Sequence, residues 1–123
     1  MSDKTARGEV TPYITKDGSE IRELLHPNQH AVRQQSLAEA VVPPGITTLL
    51  HRHAMTEEIY HITQGDGLMT LGTEKFEVGP GDSIAILPGT PHCIENTGQI
   101  ALHILCCCAP AYSHADTELL PGL

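Results

Sequence analysis

The chain has 123 residues, the length of one domain, and its 15 acidic and 7 basic side chains give a net charge of −8 at pH 7. This anionic balance argues against nucleic acid and anionic membranes as partners. The first ten residues are polar, and no run approaches the ~20 apolar residues that span a bilayer. We therefore predict a cytoplasmic protein whose partner is a small molecule.

The four cysteines include three in succession, Cys106, Cys107 and Cys108. Ordinary disulfide frameworks do not use this spacing, which predicts reduced thiols. In a strand, Cys106 and Cys108 share a face and could bind a soft metal or border a cavity. We favour the simpler interpretation that they are buried and act as small hydrophobic residues.

The N-terminal part of the chain gives weak signals of structure. Residues 1–10 are charged and lack apolar periodicity, which predicts a loose tail before a single domain over residues 11–123. Residues 13–15 favour a short strand, residues 16–19 favour a turn, and residues 21–25 suit either a strand or one helical turn.

From residue 36 onward the chain reads as strands and turns. Residues 36–42 alternate as a strand does, and Pro43 and Pro44 end it. Beyond Gly45, turn signals recur at intervals of about eight to twelve residues without helical periodicity, which predicts an all-β sandwich or barrel. The last apolar run ends before Pro110, and we expect residues 111–123 to form an exposed or partner-docked tail.

The most informative stretch is His51-Arg52-His53. Two histidines separated by one residue project from the same face of a strand, so local geometry makes a chelating pair. Glu58 lies on the next strand, and His92 follows a tight turn. If these strands are neighbours in a barrel, three imidazoles and one carboxylate converge.

Such a set would hold one divalent transition metal ion. Neutral imidazole suits zinc, copper, iron and nickel, and an added carboxylate extends the choice to manganese.

The same residues resemble the first signature motif of the cupin superfamily, which reads Gly, five residues, His-x-His, three or four residues, Glu, six residues, Gly. Residues 45–65 match it through Gly45, His51, His53, Glu58 and Gly65. Taking Glu57 as the acidic member would put a glutamine where the closing glycine belongs, so the spacing favours Glu58.

Residues 81–96 resemble the second cupin motif, which reads Gly, five residues, Pro-x-Gly, two residues, His, three residues, Asn. Gly81, Gly89, His92 and Asn96 match it, whereas Leu87 replaces the usual first proline. The flanks look like those of small single-domain bacterial cupins, through residues 17–19, 21–24 and 110–114.

This resemblance implies a small antiparallel β-barrel of the jelly-roll, or double-stranded β-helix, type. It also implies a metal held inside by His51, His53, Glu58 and His92, and commonly a homodimer. The superfamily contains dioxygenases, isomerases, decarboxylases, lyases, a cyclase and proteins that only bind small molecules. The fold therefore does not select the reaction.

Two side chains are candidates for catalysis. Glu58 is either a metal ligand, which we favour, or a base beside a centre with three histidine ligands. Tyr60 shares the parity of Glu58, so its phenol either enters the cavity or is a core group with a backbone partner.

Other polar side chains are expected outside the metal site. We predict that Asn96 holds a turn, that His61 faces outward and that His103 lies beyond the metal ligands. We expect three further histidines in solvent, namely His26, His30 and His114.

These patterns favour a metal-dependent enzyme that acts on a small, polar, oxygen-bearing substrate, with a dioxygenase slightly preferred. The alternatives are a zinc- or manganese-dependent isomerase, cyclase or lyase, and a cupin that binds a small molecule without catalysis. A phosphorylated substrate is disfavoured because the expected lining offers no cation, unless Arg22 or Arg33 reaches it.

Overall fold

The computed structural model describes residues 3–122, and within them eleven β-strands form two sheets without an α-helix. Two short 3-10 helices, Arg7–Glu9 and His114–Asp116, lie near the ends. The strands in chain order are β1 (Tyr13–Ile14), β2 (Glu20–Leu25), β3 (Ser36–Val42), β4 (His51–His53), β5 (Glu57–Gln64), β6 (Gly67–Leu71), β7 (Glu74–Val78), β8 (Ser83–Ile86), β9 (His92–Asn96), β10 (Leu102–Ala109) and β11 (Thr117–Leu119).

One sheet has six strands in the order β1-β2-β3-β10-β5-β8, and the other has five in the order β11-β4-β9-β6-β7. All neighbouring strands in both sheets are antiparallel. This is the jelly-roll architecture expected from the sequence, and the all-β prediction is confirmed. Residues 20–25, left open between strand and helical turn, form β2.

The inward-facing residues of the neighbouring strands β5 and β10 are paired in register, and their chemistry changes along the strands. Glu58 lies opposite Cys108, Tyr60 opposite Cys106, and Ile62 opposite Ile104. We call one end the polar half; it comprises His51, His53, Glu58, Tyr60, His92, Cys106 and Cys108. We call the other end the apolar half; it comprises Val42, Ile62, Met69, Ile94, Leu102 and Ile104, each at most 1% exposed.

Gly65 shows why the turn after β5 needs glycine. Its φ of +85° lies in the left-handed region that other residues rarely adopt. A Cβ added there would also lie 2.9 Å from the carbonyl oxygen of Ala101. The glycine that closes the first motif therefore fixes how β5 ends, and with it the register of Glu58.

The segment predicted to be a loose N-terminal tail contacts the six-stranded sheet. The Arg7 guanidinium pairs with the buried carboxylate of Glu39 at 2.6 Å. The Thr5 hydroxyl donates a hydrogen bond to the carbonyl of Leu24 at 2.7 Å.

The prediction that residues 111–123 form an exposed or partner-docked tail was wrong for its central part. Thr117–Leu119 form β11, which pairs along the whole of β4. The Lys16 ammonium donates to the carbonyls of His114 and Thr117 at 2.8 and 2.9 Å. The C-terminal segment is therefore an edge strand, joined to the turn between β1 and β2. Among residues 3–122, no helix has the length and apolar character needed to cross a membrane.

Candidate metal centre

Three histidines meet at the polar end of the barrel. Strand alternation in β4 buries His51 and His53 and leaves Arg52 on the other side. His92, at the start of β9, lies directly opposite His51 and is fully buried. One ring nitrogen from each histidine lies within 4.8 Å of the others, so the three could hold a metal ion.

Backbone carbonyls orient two of the rings. Nδ1 of His51 lies 2.9 Å from the carbonyl oxygen of Leu49, and Nδ1 of His92 lies 2.9 Å from that of Thr90. Because a carbonyl oxygen only accepts hydrogen bonds, each Nδ1 carries a proton. In the neutral ring Nε2 then keeps its lone pair, which is the form that binds a metal.

A threonine that the sequence analysis missed orients the third ring. The hydroxyl of Thr117 lies 3.0 Å from Nδ1 of His53 and donates its own proton to the carbonyl of Ser113 at 2.8 Å. The hydroxyl oxygen is thus left to accept a hydrogen bond from His53. Thr117 is on β11, so the misassigned C-terminal segment supports a ligand of the candidate centre.

Glu58 brings a carboxylate to the same point. Its Oε1 lies 3.2 Å from Nε2 of His53 and 3.6 Å from Nε2 of His92. Its Oε2 accepts a hydrogen bond from the thiol of Cys108, at 3.3 Å. Glu57 faces outward and is exposed, as expected from the assignment of Glu58 by motif spacing.

Burial and neighbouring side chains shift the pKa values of Glu58 and His51. Burial by itself would raise the pKa of Glu58, but the neighbouring imidazoles of His53 and His92 lower it to about 2. Burial, followed by the neighbouring His92, lowers the pKa of His51. The site therefore combines an ionised carboxylate with an imidazole that favours its neutral form.

Two buried atoms at the centre lack hydrogen-bond partners among residues 3–122, namely Nε2 of His92 and Oε1 of Glu58. Buried polar atoms are normally paired, and an unpaired one costs about 1–3 kcal/mol. A cation between the imidazoles and the carboxylate would satisfy both atoms. Three nitrogens and one oxygen suit a divalent transition metal, so the residues fit such an ion.

A small cavity of about 40 Å³ adjoins His51, His53 and Glu58. Tyr60, Cys106 and Cys108 line its inner wall, and Asp17, Tyr13 and Tyr112 border it on the side of the chain ends. No arginine or lysine is among the described residues that line it. Arg22 and Arg33, which the sequence left open as cations that could reach the cavity, are not among these lining residues.

The phenol and thiols in the wall are held protonated. Burial, followed by the charge of Glu58, raises the pKa of Tyr60 well above its ordinary value. The same causes, in the same order, raise the pKa values of Cys106 and Cys108. Protonated thiols are weak nucleophiles and weak metal ligands, which agrees with the interpretation that these cysteines are small hydrophobic residues.

Several other polar side chains have structural roles. Asn96 donates to the carbonyls of Val42 and Ile100 and accepts from the amide of Gly98, so it holds a turn as predicted. His103 lies outside the metal centre, with Nδ1 3.5 Å from Glu39.

The prediction of solvent exposure was wrong for two of three histidines. His30 is 7% exposed, and its Nδ1 accepts a hydrogen bond from the amide of His26. Nε2 of His26 lies 2.8 Å from the carbonyl of Tyr112. The contact between His26 and Tyr112 joins distant parts of the chain and gives no local signal, whereas His114 is exposed as expected.

Comparisons with known proteins agree with this architecture. A protein-family model described as a cupin domain matches residues 38–108, which is more than half of the chain. The uncharacterized protein MJ1618 of Methanocaldococcus jannaschii is 62% identical over 117 residues, 95% of this chain and 94% of that protein. An oxalate-binding protein of Thermotoga maritima is 31% identical over 86 residues, 70% of this chain and 71% of that protein.

Among solved structures, the nucleoside dehydratase Pac13 of Streptomyces matches with a TM-score of 0.79. The match covers 100% of this chain and 94% of that chain at 17% sequence identity. At this identity the likeness shows the fold alone. The structural match therefore supports the barrel, and the chemistry has to be argued from the site.

Proposed function

The chain belongs to the cupin family, and from this premise we propose that it is a metal-dependent enzyme acting on a small, oxygen-bearing substrate. The observation that carries the proposal is the cluster of three buried imidazoles, two of which, His53 and His92, lie beside a buried carboxylate oxygen of Glu58 that has no hydrogen-bond partner among residues 3–122. When bound, a divalent transition metal would supply a Lewis acid with open positions beside the cavity.

The protein side chains would hold and orient this centre. His51, His53 and His92 would bind the ion through Nε2, because Nδ1 of each ring donates to a fixed oxygen. Glu58 would act as the anionic ligand through Oε1. Its Oε2 is held by the Cys108 thiol, which favours the role of ligand over that of mobile base.

The cavity limits the substrate in size and charge. A cavity of about 40 Å³ suits a small substrate, such as a hydroxy-carbonyl compound or an enediol that chelates through two oxygens. Because Asp17 and Glu58 line the cavity and no arginine or lysine among residues 3–122 does, we expect a neutral or singly charged substrate. The protonated phenol of Tyr60 would donate a hydrogen bond to an oxygen that gains negative charge.

Metal content and turnover test the proposal together. We expect purified protein to hold one metal ion per chain, and the loaded protein to convert at least one compound from a panel of small hydroxy-carbonyl compounds and enediols. Turnover that requires air would indicate a dioxygenase, which remains the first reaction to test. Turnover that persists without oxygen would indicate an isomerase, cyclase or lyase.

A matched pair of variants connects activity to the site. His92→Ala removes a buried ligand and should abolish both stoichiometric metal and turnover. His61→Ala removes a histidine that bonds Ser83 outside the cavity, and both properties should persist. Wild-type protein that neither contains nor binds any of iron, manganese, zinc, nickel and copper would refute the proposal.

The second candidate is a protein that binds a small molecule without converting it. The similarity to an oxalate-binding protein favours it, since oxalate is a small chelating molecule. Oxalate is therefore a second probe, although its two negative charges would meet Asp17 and Glu58. Saturable binding of oxalate to the metal-loaded protein, with no change of any compound in the panel, would favour this candidate over the enzyme.

A further inference from the structure

A second carboxylate, Asp17, faces the centre from the turn between β1 and β2. The turn is closed by hydrogen bonds between Thr15 and Ser19 and between Gly18 and Thr15, with Gly18 at a φ of +92°. The carbonyl of Asp17 accepts a hydrogen bond from the amide of Leu49 at 2.8 Å. The turn is thereby fixed two residues before His51, and Asp17 is only 9% exposed.

The two carboxylate oxygens of Asp17 have different surroundings. Oδ1 accepts hydrogen bonds from the amide and the hydroxyl of Ser19, at 2.9 and 2.7 Å. Oδ2 lies 3.9 Å from Nε2 of His51. The turn is therefore satisfied by Oδ1, and Oδ2 is free to face the candidate centre.

The atoms that face each other across this gap are both acceptors. Nδ1 of His51 donates to Leu49, so Nε2 of the neutral ring carries a lone pair, as does Oδ2. Two ligands of one transition metal ion, each about 2.0–2.2 Å from it, lie at most ~4.4 Å apart. The 3.9 Å separation falls within this limit, so one ion, or a water molecule on it, would satisfy both acceptors.

Asp17 also completes the charge of the site. Glu58 lies beside His53 and His92, whereas Asp17 lies beside His51, so the carboxylates flank different members of the histidine set. Together they match the charge of a divalent cation in a cavity whose described lining has no arginine or lysine.

We propose that Asp17 is a further carboxylate of the metal centre, with Oδ2 contacting the cation directly or through one bound water. The proposal rests on the metal site of the proposed function but adds a residue that neither cupin motif contains. It assigns to the N-terminal turn a role in tuning metal affinity and in disfavouring anionic ligands.

Asp17→Asn separates the metal role from the turn. Asparagine keeps a carbonyl oxygen for the two hydrogen bonds from Ser19 and replaces Oδ2 with an amide group that cannot bind a cation. We expect Zn(II) affinity, measured by competition with a chromophoric chelator, to fall at least about tenfold. The thermal unfolding midpoint of the metal-free variant should stay close to that of wild type.

Asp82→Asn is the matched control, because Asp82 also accepts a backbone hydrogen bond in a turn, from Gly79, but does not line the cavity. We expect it to bind Zn(II) as wild type does. The visible spectrum of the Co(II)-loaded protein should change in Asp17→Asn and not in the control, since the spectrum reports on the groups around the ion.

Each outcome decides between the two roles. Equal Zn(II) affinity in Asp17→Asn and wild type would overturn this inference and leave the proposed function standing. Equal loss in both variants would indicate a general charge effect and would also overturn it. Should Asp17→Asn fold poorly, Ser19→Ala weakens the turn without touching Oδ2, and loss of affinity there would assign Asp17 to the turn alone. A wild-type protein that binds no Zn(II) or Co(II) would overturn the inference and the proposed function together.

Discussion

The two halves of the barrel interior share strands β5, β9 and β10 but differ in what they do for the protein. In the apolar half, aliphatic side chains from facing strands are fully buried, and each buried methylene stabilises the fold by about 0.8 kcal/mol. In the polar half, Nε2 of His92 and Oε1 of Glu58 are buried without partners among the described residues, which costs stability. Stability and chemistry are therefore separated along the barrel axis, and substitutions in the two halves should have separable effects.

The largest expected effect lies in the apolar half. Ile62→Ala should lower the free energy of unfolding of the metal-free protein by about 2–5 kcal/mol, because it leaves a cavity among fully buried neighbours. Denaturant unfolding measures this loss, and Zn(II) affinity of the folded variant should match that of wild type. Ile59 lies on the outer face of the same strand and is 46% exposed, so Ile59→Ala should lower the free energy of unfolding by at most about 0.5 kcal/mol. A parallel loss of Zn(II) affinity in Ile62→Ala would mean that the halves are not independent.

In the polar half, a substitution should lower Zn(II) affinity more than it lowers stability. Thr117→Val keeps the shape of the side chain but removes the oxygen that accepts from Nδ1 of His53. We expect Zn(II) affinity to fall about 10–100-fold, as it does when the partner of a metal-binding histidine is lost. Thr48→Val, which removes a buried hydroxyl bonded to the amide of Ile94, should lower stability while leaving affinity unchanged. Unchanged affinity in Thr117→Val would show that β11 does not orient His53.

The tyrosines that line the cavity give a pH signature. Burial raises the pKa of Tyr13 to about 12 and raises the pKa values of Tyr60 and Tyr112 above the ordinary value of 10. Between the unfolded and folded pKa values the unfolded chain loses protons that the folded chain keeps, so stability should fall as pH rises above 10. The chain has no tryptophan, so tyrosinate absorbance reports these groups directly. The folded protein should show no ionisation step near pH 10, whereas the denatured chain should ionise all three tyrosines. A folded-state step there would contradict the raised pKa values.

The smallest expected effect is that of modifying Cys107, which lies between the buried Cys106 and Cys108 on the outward face of β10. Cys107 is exposed, whereas Cys93, Cys106 and Cys108 are buried. Iodoacetamide at mildly alkaline pH should therefore label the folded protein once, at Cys107, with no change in Zn(II) affinity. Peptide mass spectrometry locates the label, and rapid labelling of Cys106 would show that the polar half opens to solvent.

Local signals were sufficient to predict which side chains meet at the candidate metal centre. The alternation of His51 and His53 is a property of any strand, and the left-handed turn at Gly65 fixes the register that turns Glu58 inward. Both signals lie within a few residues of the side chains they position. The inward face of Tyr60 could be predicted for the same reason.

The two other residues near the candidate centre, Thr117 and Asp17, could not be predicted because long-range packing places them there. Thr117 lies in a three-residue strand with one buried residue, which is too short to show periodicity, so its pairing with β4 left no trace in the sequence. Asp17 was correctly placed in a turn, but local signals do not reveal that the turn packs against Leu49. The identity of the metal and of the substrate depends on energies that no spacing of residues encodes.

Lys16 connects the turn that carries Asp17 to the segment that carries Thr117, because its ammonium group donates to two carbonyls of the C-terminal segment. Asp17 and Thr117 therefore belong to a single flap made from both ends of the chain, and one end cannot lift away without breaking the bonds of the other. Opening of this flap would therefore break the contacts of both ends together. Hydrogen exchange at the amides of Leu49, Ala54 and Leu120, which are bonded across its edges, would then report one common free energy of opening.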